Sequence, residues 1–206
     1  LLVLAAFIKG VDEYQELLRC SVAFAGNDHR LGAQEAPPAI ISIFLGSEIQ
    51  RIIDAIVGRS DYTDAERKTL RIGVDVLPAI PQDTTDRNRT SPVAFTGNKF
   101  EFRMPGSSQS IAGPVTVLNT IMAEELTQFY AVLKDASDFN KVLHELVRKA
   151  FTEHGRIIFN GNGYEDAWIR EAESRGLANL RSTAEALPTF ILPKNVELMT
   201  KHGVYT

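Results

Sequence analysis

The distribution of apolar residues predicts helices at the start of the chain, strands in its middle part and helices after them. A first, mostly buried helix is predicted over residues 2–18, because apolar side chains recur there at close to helical spacing. A second begins at Ser47, has capping-box spacing to Gln50, and stops at Gly58, a residue type that suits a helix end. Residues 24–38 are rich in glycine, proline and polar groups, so they are predicted to form a loop between these helices.

Alternation with a period of two residues marks the middle of the chain. Residues 70–76 are predicted to form a strand, and residues 78–92 a polar loop. Two further strands are predicted over residues 93–96 and 99–104. The Gly-Asn pair between them suits the tight turn of a hairpin, so these two strands are expected to pair antiparallel.

The last of these strands has one apolar and one charged face. The apolar face consists of Phe100, Phe102 and Met104, and the charged face of Lys99, Glu101 and Arg103. A row of cation, anion and cation beside a buried face suits the wall of a site for a polyanionic ligand and its metal ion. The alternative is an ordinary half-buried strand whose polar face is solvated.

After the hairpin the pattern becomes helical. A long apolar stripe predicts one helix with Pro114 in its first turn, where proline is tolerated. Asp138 is predicted to cap the next helix, and shorter helices are predicted over residues 165–175 and 194–202. The predicted fold class is therefore α+β, with a piece of antiparallel sheet followed by a mainly helical region.

Composition narrows the class of protein. Apolar residues make up 44% and charged residues 23% of the chain, as in ordinary globular proteins, and the net charge of -4 argues against a nucleic-acid surface. Cys20 is the only cysteine, which excludes an intramolecular disulfide and favours a cytoplasmic location. The opening run LLVLAAFI is too short to span a membrane, so no membrane association is expected. Because this run suits an internal helix and lacks an initiator Met, we interpret the chain as part of a longer one.

Several side chains are candidates for chemistry on anions. Arg30 and Glu35 share the first loop, where they could contact a substrate or could form a surface ion pair. Arg89 lies in the polar loop, and arginine binds phosphate through bidentate, charge-assisted hydrogen bonds. Glu101 offers the oxygen ligand that Mg²⁺ prefers, although one glutamate cannot form a metal site alone. The NGNG sequence at residues 160–163 lacks the lysine of a phosphate loop and is predicted to be a turn.

Two motifs resemble those of a known family. The sequence NDHRLGAQEAPPAI resembles the RL-x-x-x-x-EAP segment of glutamine synthetases, and DRNRT followed by NKFEFRMPG resembles their NR…EFR-P segment. Both blocks, together with RIIFNGNGY, are similar to the type III branch. The resemblance covers essentially the whole chain. It implies that residues 1–110 are the C-terminal half of the catalytic domain and that residues 111–206 are its helical C-terminal region.

The resemblance also implies an activity. Glutamine synthetases join ammonia to glutamate by phosphorylating the side-chain carboxylate with ATP and then displacing the phosphate with ammonia. Arg30 matches the arginine that holds the substrate glutamate. Glu35 matches the glutamate that closes the site and helps to take a proton from ammonium. Arg89 matches an arginine that neutralises the transferring phosphate and contacts the nucleotide.

The second motif carries the remaining implied roles. Glu101 matches a glutamate that binds Mg²⁺ or Mn²⁺, Arg103 matches an arginine that contacts phosphate or substrate, and Lys99 occupies a position near the nucleotide. The chain departs from the family pattern at Ala94, where a second arginine is usual, and at Gly106, where aspartate is usual. The family further implies a homo-oligomeric ring.

The two motifs are also compatible with other functions. A glutamate–amine or glutamate–cysteine ligase of the same superfamily would differ in its acceptor pocket, which these motifs do not define. A catalytically silent relative used for assembly or nitrogen sensing is the alternative of a different class, although the presence of all five matched charged residues argues against it. Because the family's other metal ligands precede this segment, we expect the 206-residue chain alone to have no synthetase activity.

Overall fold

A computed structural model describes residues 1–33, 35–61, 69–70, 80–81 and 90–206. Most of the strand predicted over residues 70–76, and most of the loop predicted over residues 78–92, lie outside the described residues. The same holds for Arg89 in that loop.

Helices dominate the described part of the chain. Its first half contains α1 (Leu2–Glu13), α2 (Gln15–Ser21), α3 (Ala25–Arg30), β1 (Ile43–Phe44), α4 (Ser47–Val57), β2 (Thr69–Leu70), β3 (Ile80–Pro81), β4 (Val93–Phe95) and β5 (Phe100–Phe102). Its second half contains α5 (Ala112–Leu133), α6 (Phe139–His154), α7 (Asp166–Ser174), α8 (Thr183–Ala186) and α9 (Pro193–Lys201), with short 3₁₀ turns at Gly155–Ile157 and Leu187–Ile191. The predicted mixture of helices and strands is confirmed.

The core is built around α1. This helix is apolar on nearly all sides, and residues such as Leu4, Ile8 and Val11 are buried. It packs against α5 and α6. Gly10 permits the close approach of α5, because a Cβ atom at this position would lie only 2.9 Å from Cγ of Glu125 and even closer to Ile121.

The sheet is mixed rather than wholly antiparallel. Strands β4 and β5 form the predicted hairpin, and the turn between them contains Gly97 with a φ of 91°, a conformation that glycine adopts without strain. Strand β1 pairs parallel with β4, giving the order β1-β4-β5. The long stretch of chain between β1 and β4 provides the crossover that a parallel pair requires. Strands β2 and β3 pair separately and antiparallel.

Three local predictions near the N-terminus are wrong. The helix predicted over residues 2–18 is interrupted at Tyr14, which has non-helical dihedral angles. The predicted loop contains α3. Helix α4 begins at Ser47, as predicted, but its N-cap is Gly46 and no side chain caps this end, so the predicted capping box is absent. The predicted end of α4 at Gly58 is confirmed. Gly58 is in the left-handed conformation, its N–H donates to the carbonyl of Ala55, and the N–H of the next residue, Arg59, donates to the carbonyl of Asp54.

The helices of the second half follow the prediction closely. Pro114 lies in the first turn of α5, and Asp138 caps α6 by accepting a hydrogen bond from the N–H of Lys141 at 3.0 Å. Helix α8 and the 3₁₀ turn after it were not predicted. No helix in the described residues is long and apolar enough to cross a membrane.

Candidate active site

The β4–β5 hairpin exposes the predicted row of charges. Its apolar side packs inward, with the ring of Phe100 stacked on Phe7 at 3.7 Å between centroids and Met104 buried just after the strand. On the other face, Glu101 accepts hydrogen bonds on Oε2 from Nη2 of Arg103 at 2.8 Å and from its Nε at 3.1 Å. Nζ of Lys99 lies 3.3 Å from Oε1. The predicted cation–anion–cation arrangement is therefore present.

These contacts keep Glu101 ionised. Hydrogen bonds from Arg103 and then Lys99, assisted by their positive charges, hold the pKa of the Glu101 carboxyl below its usual value. The Glu101 side chain is 34% exposed, so it can be approached from solvent. Lys99 is more exposed, at 66%, and belongs to the rim of this arrangement.

Glu101 fits the requirement for a single oxygen ligand of a hard divalent cation. Its carboxylate is ionised, accessible and on a strand, which fixes its direction. No group of three or more His, Cys, Asp or Glu side chains that could hold a metal ion occurs among the residues described by the structure. Glu101 is thus the one metal ligand that the sequence predicted in this part of the chain.

The segment before the sheet is ordered by its own side chains. Helix α3 has six residues, and Asp28 on it accepts hydrogen bonds from Nη2 of Arg19 at 2.9 Å and from the N–H of Thr183 at 2.7 Å. Asn27 is fully buried beside it. These long-range contacts explain a helix where glycine, asparagine and proline in the sequence predicted a loop. The turn that follows is closed by hydrogen bonds from the N–H of Gly32 to the carbonyls of Ala36 and Pro37.

Arg30 lies at the end of α3 and is joined to the end of the charged strand. Its Nε donates to Oδ1 of Asn27 at 3.0 Å, and its Nη2 donates to the carbonyl of Met104 at 2.5 Å and to that of Pro105 at 3.4 Å. Arg30 and Glu35 are both described, and no ion pair joins them. The interpretation of these two residues as a surface ion pair is therefore wrong.

Three of the predicted site residues line one small cleft. It lies between the turn after α3, the start of β4 and the chain after β5. Its walls are formed by Arg30, Leu31, Glu35, Ala36, Pro37, Pro38, Ser91, Pro92, Arg103, Met104 and Tyr164. With a volume of about 80 Å³ the cleft is far below the roughly 300–1,000 Å³ typical of a small-molecule site. It can therefore hold only a small part of a substrate.

The other predicted residues are placed differently. Glu101 and Lys99 do not line this cleft. Arg103 connects the cleft with the charged face of the strand, since it lines the cleft and also donates a hydrogen bond to Glu101. The backbone N–H of Arg103 donates to the carbonyl of Pro92 at 2.7 Å, which fixes the strand against the cleft. Because Arg89 lies outside the described residues, its role stays a prediction.

The NGNG segment lies outside helices and strands, as predicted, although the turn itself is at residues 163–164. The segment also contributes to the site. The N–H of Gly163 donates to Oγ1 of Thr90 at 3.0 Å, and Tyr164 lines the cleft. Oδ1 of Asn160 accepts from the N–H groups of Leu45 and Gly46, at 3.0 and 2.9 Å. Sequence reasoning missed Tyr164, Asn160 and the buried Asn27. The only signal in the sequence was that they belong to the two blocks, NDHRL and FNGNGY, that resemble the family.

Comparison with known proteins shows which sequences this chain resembles. Residues 142–206 match the model of the glutamine synthetase C-terminal domain. A type-3 glutamine synthetase of Dictyostelium discoideum is 46% identical over 211 residues, which cover 99% of this chain and 28% of the relative. A glutamine synthetase of Butyrivibrio fibrisolvens is 41% identical over 209 residues, which cover all of this chain and 29% of the relative. A third, from Bacteroides fragilis, is 44% identical over 184 residues, with 86% of this chain and 25% of the relative covered.

These matches identify the family. The chain belongs to the glutamine synthetases, as its two motifs predicted. Its predicted similarity to the type III branch is likewise confirmed by the relative named as a type-3 enzyme. The chain spans between about a quarter and three tenths of the length of these relatives.

Proposed function

We propose that the protein containing this chain is a glutamate–ammonia ligase, which makes glutamine from glutamate, ammonia and ATP. The observation that supports this most directly is the meeting of Arg30, Glu35 and Arg103 at one cleft, in a chain of this family. Two cations and one carboxylate around a small space suit a reaction between an amino-acid carboxylate and a phosphoryl group. The first 110 residues would then be the C-terminal half of the catalytic domain and the remainder its helical extension.

The roles in this proposal are those that the resemblance to the family implies, and the positions of the described residues are compatible with them. Arg30 is held by α3 and the strand end, so its guanidinium can bind a substrate carboxylate in a fixed direction. Arg103 neutralises negative charge on the transferring phosphoryl group, and Arg89 is proposed to share this role. Glu35, on the exposed turn, covers the bound intermediate and accepts a proton from ammonium.

The remaining residues contribute to nucleotide and metal binding. Glu101 is proposed as one ligand of Mg²⁺ or Mn²⁺, whose charge would stabilise the nucleotide phosphates when bound. Lys99 is proposed to lie near the nucleotide. The small cleft and the single metal ligand indicate that other segments of the protein complete the site. We accordingly propose that the enzyme works as a homo-oligomer and that the 206-residue chain alone does not turn over.

The test is an assay of glutamine formation by the full-length protein, with and without Glu35→Ala. We expect this substitution to lower kcat by about 10²–10⁴-fold, since it removes a general base, while ATP binding measured by calorimetry stays unchanged. Glu48→Ala is a matched control, because Glu48 is also an exposed glutamate but lies on α4 away from the cleft.

Three outcomes would contradict the proposal. Formation of a glutamyl amide from another amine, but not from ammonia, would indicate the related amine ligase. A full-length protein that binds neither ATP nor glutamate would indicate a silent relative. Equal rates for the wild type and Glu35→Ala would remove Glu35 from the mechanism.

A further inference from the structure

Asn27 is completely buried next to the cleft, and every polar atom of its side chain makes a hydrogen bond. Its Nδ2 donates to the carbonyl of Val22 at 2.8 Å and to that of Met104 at 3.1 Å. Its Oδ1 accepts from Nε of Arg30 at 3.0 Å. A buried asparagine with every polar atom satisfied is costly to replace, because each lost partner leaves a desolvated group.

Asn27, Arg30 and Met104 form a closed network of hydrogen bonds. Arg30 and Asn27 both donate to the carbonyl of Met104, and Asn27 accepts from Arg30. Two nitrogens of the guanidinium, Nε and Nη2, are therefore fixed, whereas Nη1 makes no hydrogen bond within the described part of the chain. Since Arg30 lines the cleft, the network fixes the plane of the guanidinium relative to the space that a ligand would occupy.

An arginine side chain has many rotamers, and holding it in one of them lowers the entropy lost when a ligand binds. Met104 immediately follows Arg103, so Asn27 also fixes the distance between the two arginines of the cleft. A residue in this place controls how two positive groups face one small anion.

We propose that Asn27 is a positioning residue that sets the affinity for the substrate amino acid by orienting Arg30. This inference rests on the function proposed above, because it assumes that Arg30 binds the carboxylate of the amino acid. Asn27 itself does not line the cleft, so it acts through Arg30. Its removal should weaken binding of glutamate more than binding of ATP.

The test is a double-mutant cycle in the full-length enzyme with Asn27→Ala, Arg30→Ala and the combined variant. We expect Asn27→Ala to raise KM for glutamate about tenfold, a change of about 1.4 kcal/mol. KM for ATP should change by less than about twofold. In the Arg30→Ala background, Asn27→Ala should have almost no further effect on KM for glutamate. The effects of two substitutions that act through one contact are not additive. Calorimetry with glutamate alone gives the same comparison without turnover.

Asn195→Ala is the matched control for stability. Asn195 is also fully buried, and its Nδ2 donates to the carbonyl of Thr189 at 2.6 Å, but it lies far along the chain in α9 and does not line the cleft. We expect it to lower the unfolding temperature without changing KM for glutamate. If Asn27→Ala is not obtained as a folded protein, Asn27→Ser carries the same cycle, since its hydroxyl keeps a polar group in the site but is too short to replace Oδ1.

Additive effects of Asn27→Ala and Arg30→Ala on KM would overturn the inference, as would an equal loss of glutamate and ATP binding. Both outcomes would indicate that Asn27 only stabilises the fold. Absence of glutamine formation by the wild type would instead contradict the proposed function, so the two failures are distinguishable.

Discussion

At the scale of single residues, Glu101 has two competing interactions. Arg103 and Lys99 keep its carboxylate ionised, which a metal ligand requires, but they also occupy both of its oxygens. A cation that binds there must take the place of at least one of these hydrogen bonds.

The charged face of the strand was predictable from the sequence, because residues two apart on a strand share a face. The pairing of Arg30 with Asn27 was not predictable, since nothing in the sequence indicated that α3 would form.

Glu101→Gln tests whether the charge of this side chain matters rather than its shape. Glutamine keeps the size and one acceptor oxygen but cannot neutralise a divalent cation. We expect Mg²⁺–ATP binding by the full-length enzyme to weaken about 10–100-fold, as for loss of a charge-assisted contact worth about 1.5–3 kcal/mol. Calorimetry measures this directly, and unchanged binding would exclude Glu101 as a metal ligand. Glu171→Gln serves as a comparison, because Glu171 also pairs with an arginine, Arg175, but on α7.

At the scale of secondary-structure elements, prediction succeeded where local interactions decide the structure. The hairpin depends on a Gly-Asn turn, and α6 on the Asp138 cap, and both signals lie within a few residues of the element. Helix α3 is different, because six residues containing glycine and asparagine do not form a stable helix by themselves. Its partners Arg19 and Thr183 lie elsewhere in the chain, so no local pattern could reveal it.

The capping of α6 gives a prediction about stability. Asp138→Ala removes the acceptor for the N–H of Lys141 and should lower the free energy of unfolding by about 1 kcal/mol, within the usual range of about 0.5–2 kcal/mol. Chemical unfolding of this chain followed by circular dichroism measures the change. Asp135→Ala is the control, since Asp135 is 83% exposed and only approaches its neighbour Lys134 at 3.8 Å. Equal effects of the two substitutions would show that charge, not capping, is responsible.

At the scale of the whole molecule, the C-terminal region is bound to the first two helices through buried polar contacts. Asp12 accepts from Nε of Arg156 at 2.9 Å and lies 2.9 Å from Nδ1 of His154. Oε1 of Gln15 accepts from the N–H of Ala178 at 2.7 Å. These pairs are more than 140 residues apart in sequence. Apolar periodicity predicts which helices have a buried face, but it does not specify which helices will meet.

Helix α5 carries two adjacent glutamates with opposite behaviour. Burial raises the pKa of Glu125 to about 7, although Lys9 beside it acts in the other direction. Burial also opposes ionisation of Glu124, but hydrogen bonds from Lys201, Gln128 and His202 outweigh it and lower its pKa to about 2. The two residues should therefore affect stability in different ranges of pH.

Because its pKa is raised in the folded state, Glu125 contributes stability that is complete below about pH 4.5 and is lost as the pH rises through about 7. Glu125→Gln removes this titration. We therefore expect the free energy of unfolding of the variant, relative to the wild type, to increase by up to roughly 3 kcal/mol between these limits. Urea unfolding at a series of pH values measures the difference, and a constant difference would contradict the prediction.

Glu124→Gln provides the comparison for this series. The stability contributed by Glu124 is present above about pH 4.5 and is lost as the pH falls towards about 2, because the pKa of this residue is lowered on folding. The variant should thus be less stable than the wild type above pH 4.5, and the gap between them should close in acid.

The two hydrogen bonds of Asp28 have a consequence for the whole enzyme. One oxygen holds Arg19 and the other holds the backbone at Thr183, so the C-terminal segment holds in place the helix that ends in Arg30. A mutation or a bound molecule that displaces the backbone at Thr183 would break this connection and allow Arg30, which we propose to bind the amino acid, to move. Under the proposed function, the affinity for the substrate could thereby be changed by events at the C-terminal segment, without any change in the residues that touch the substrate.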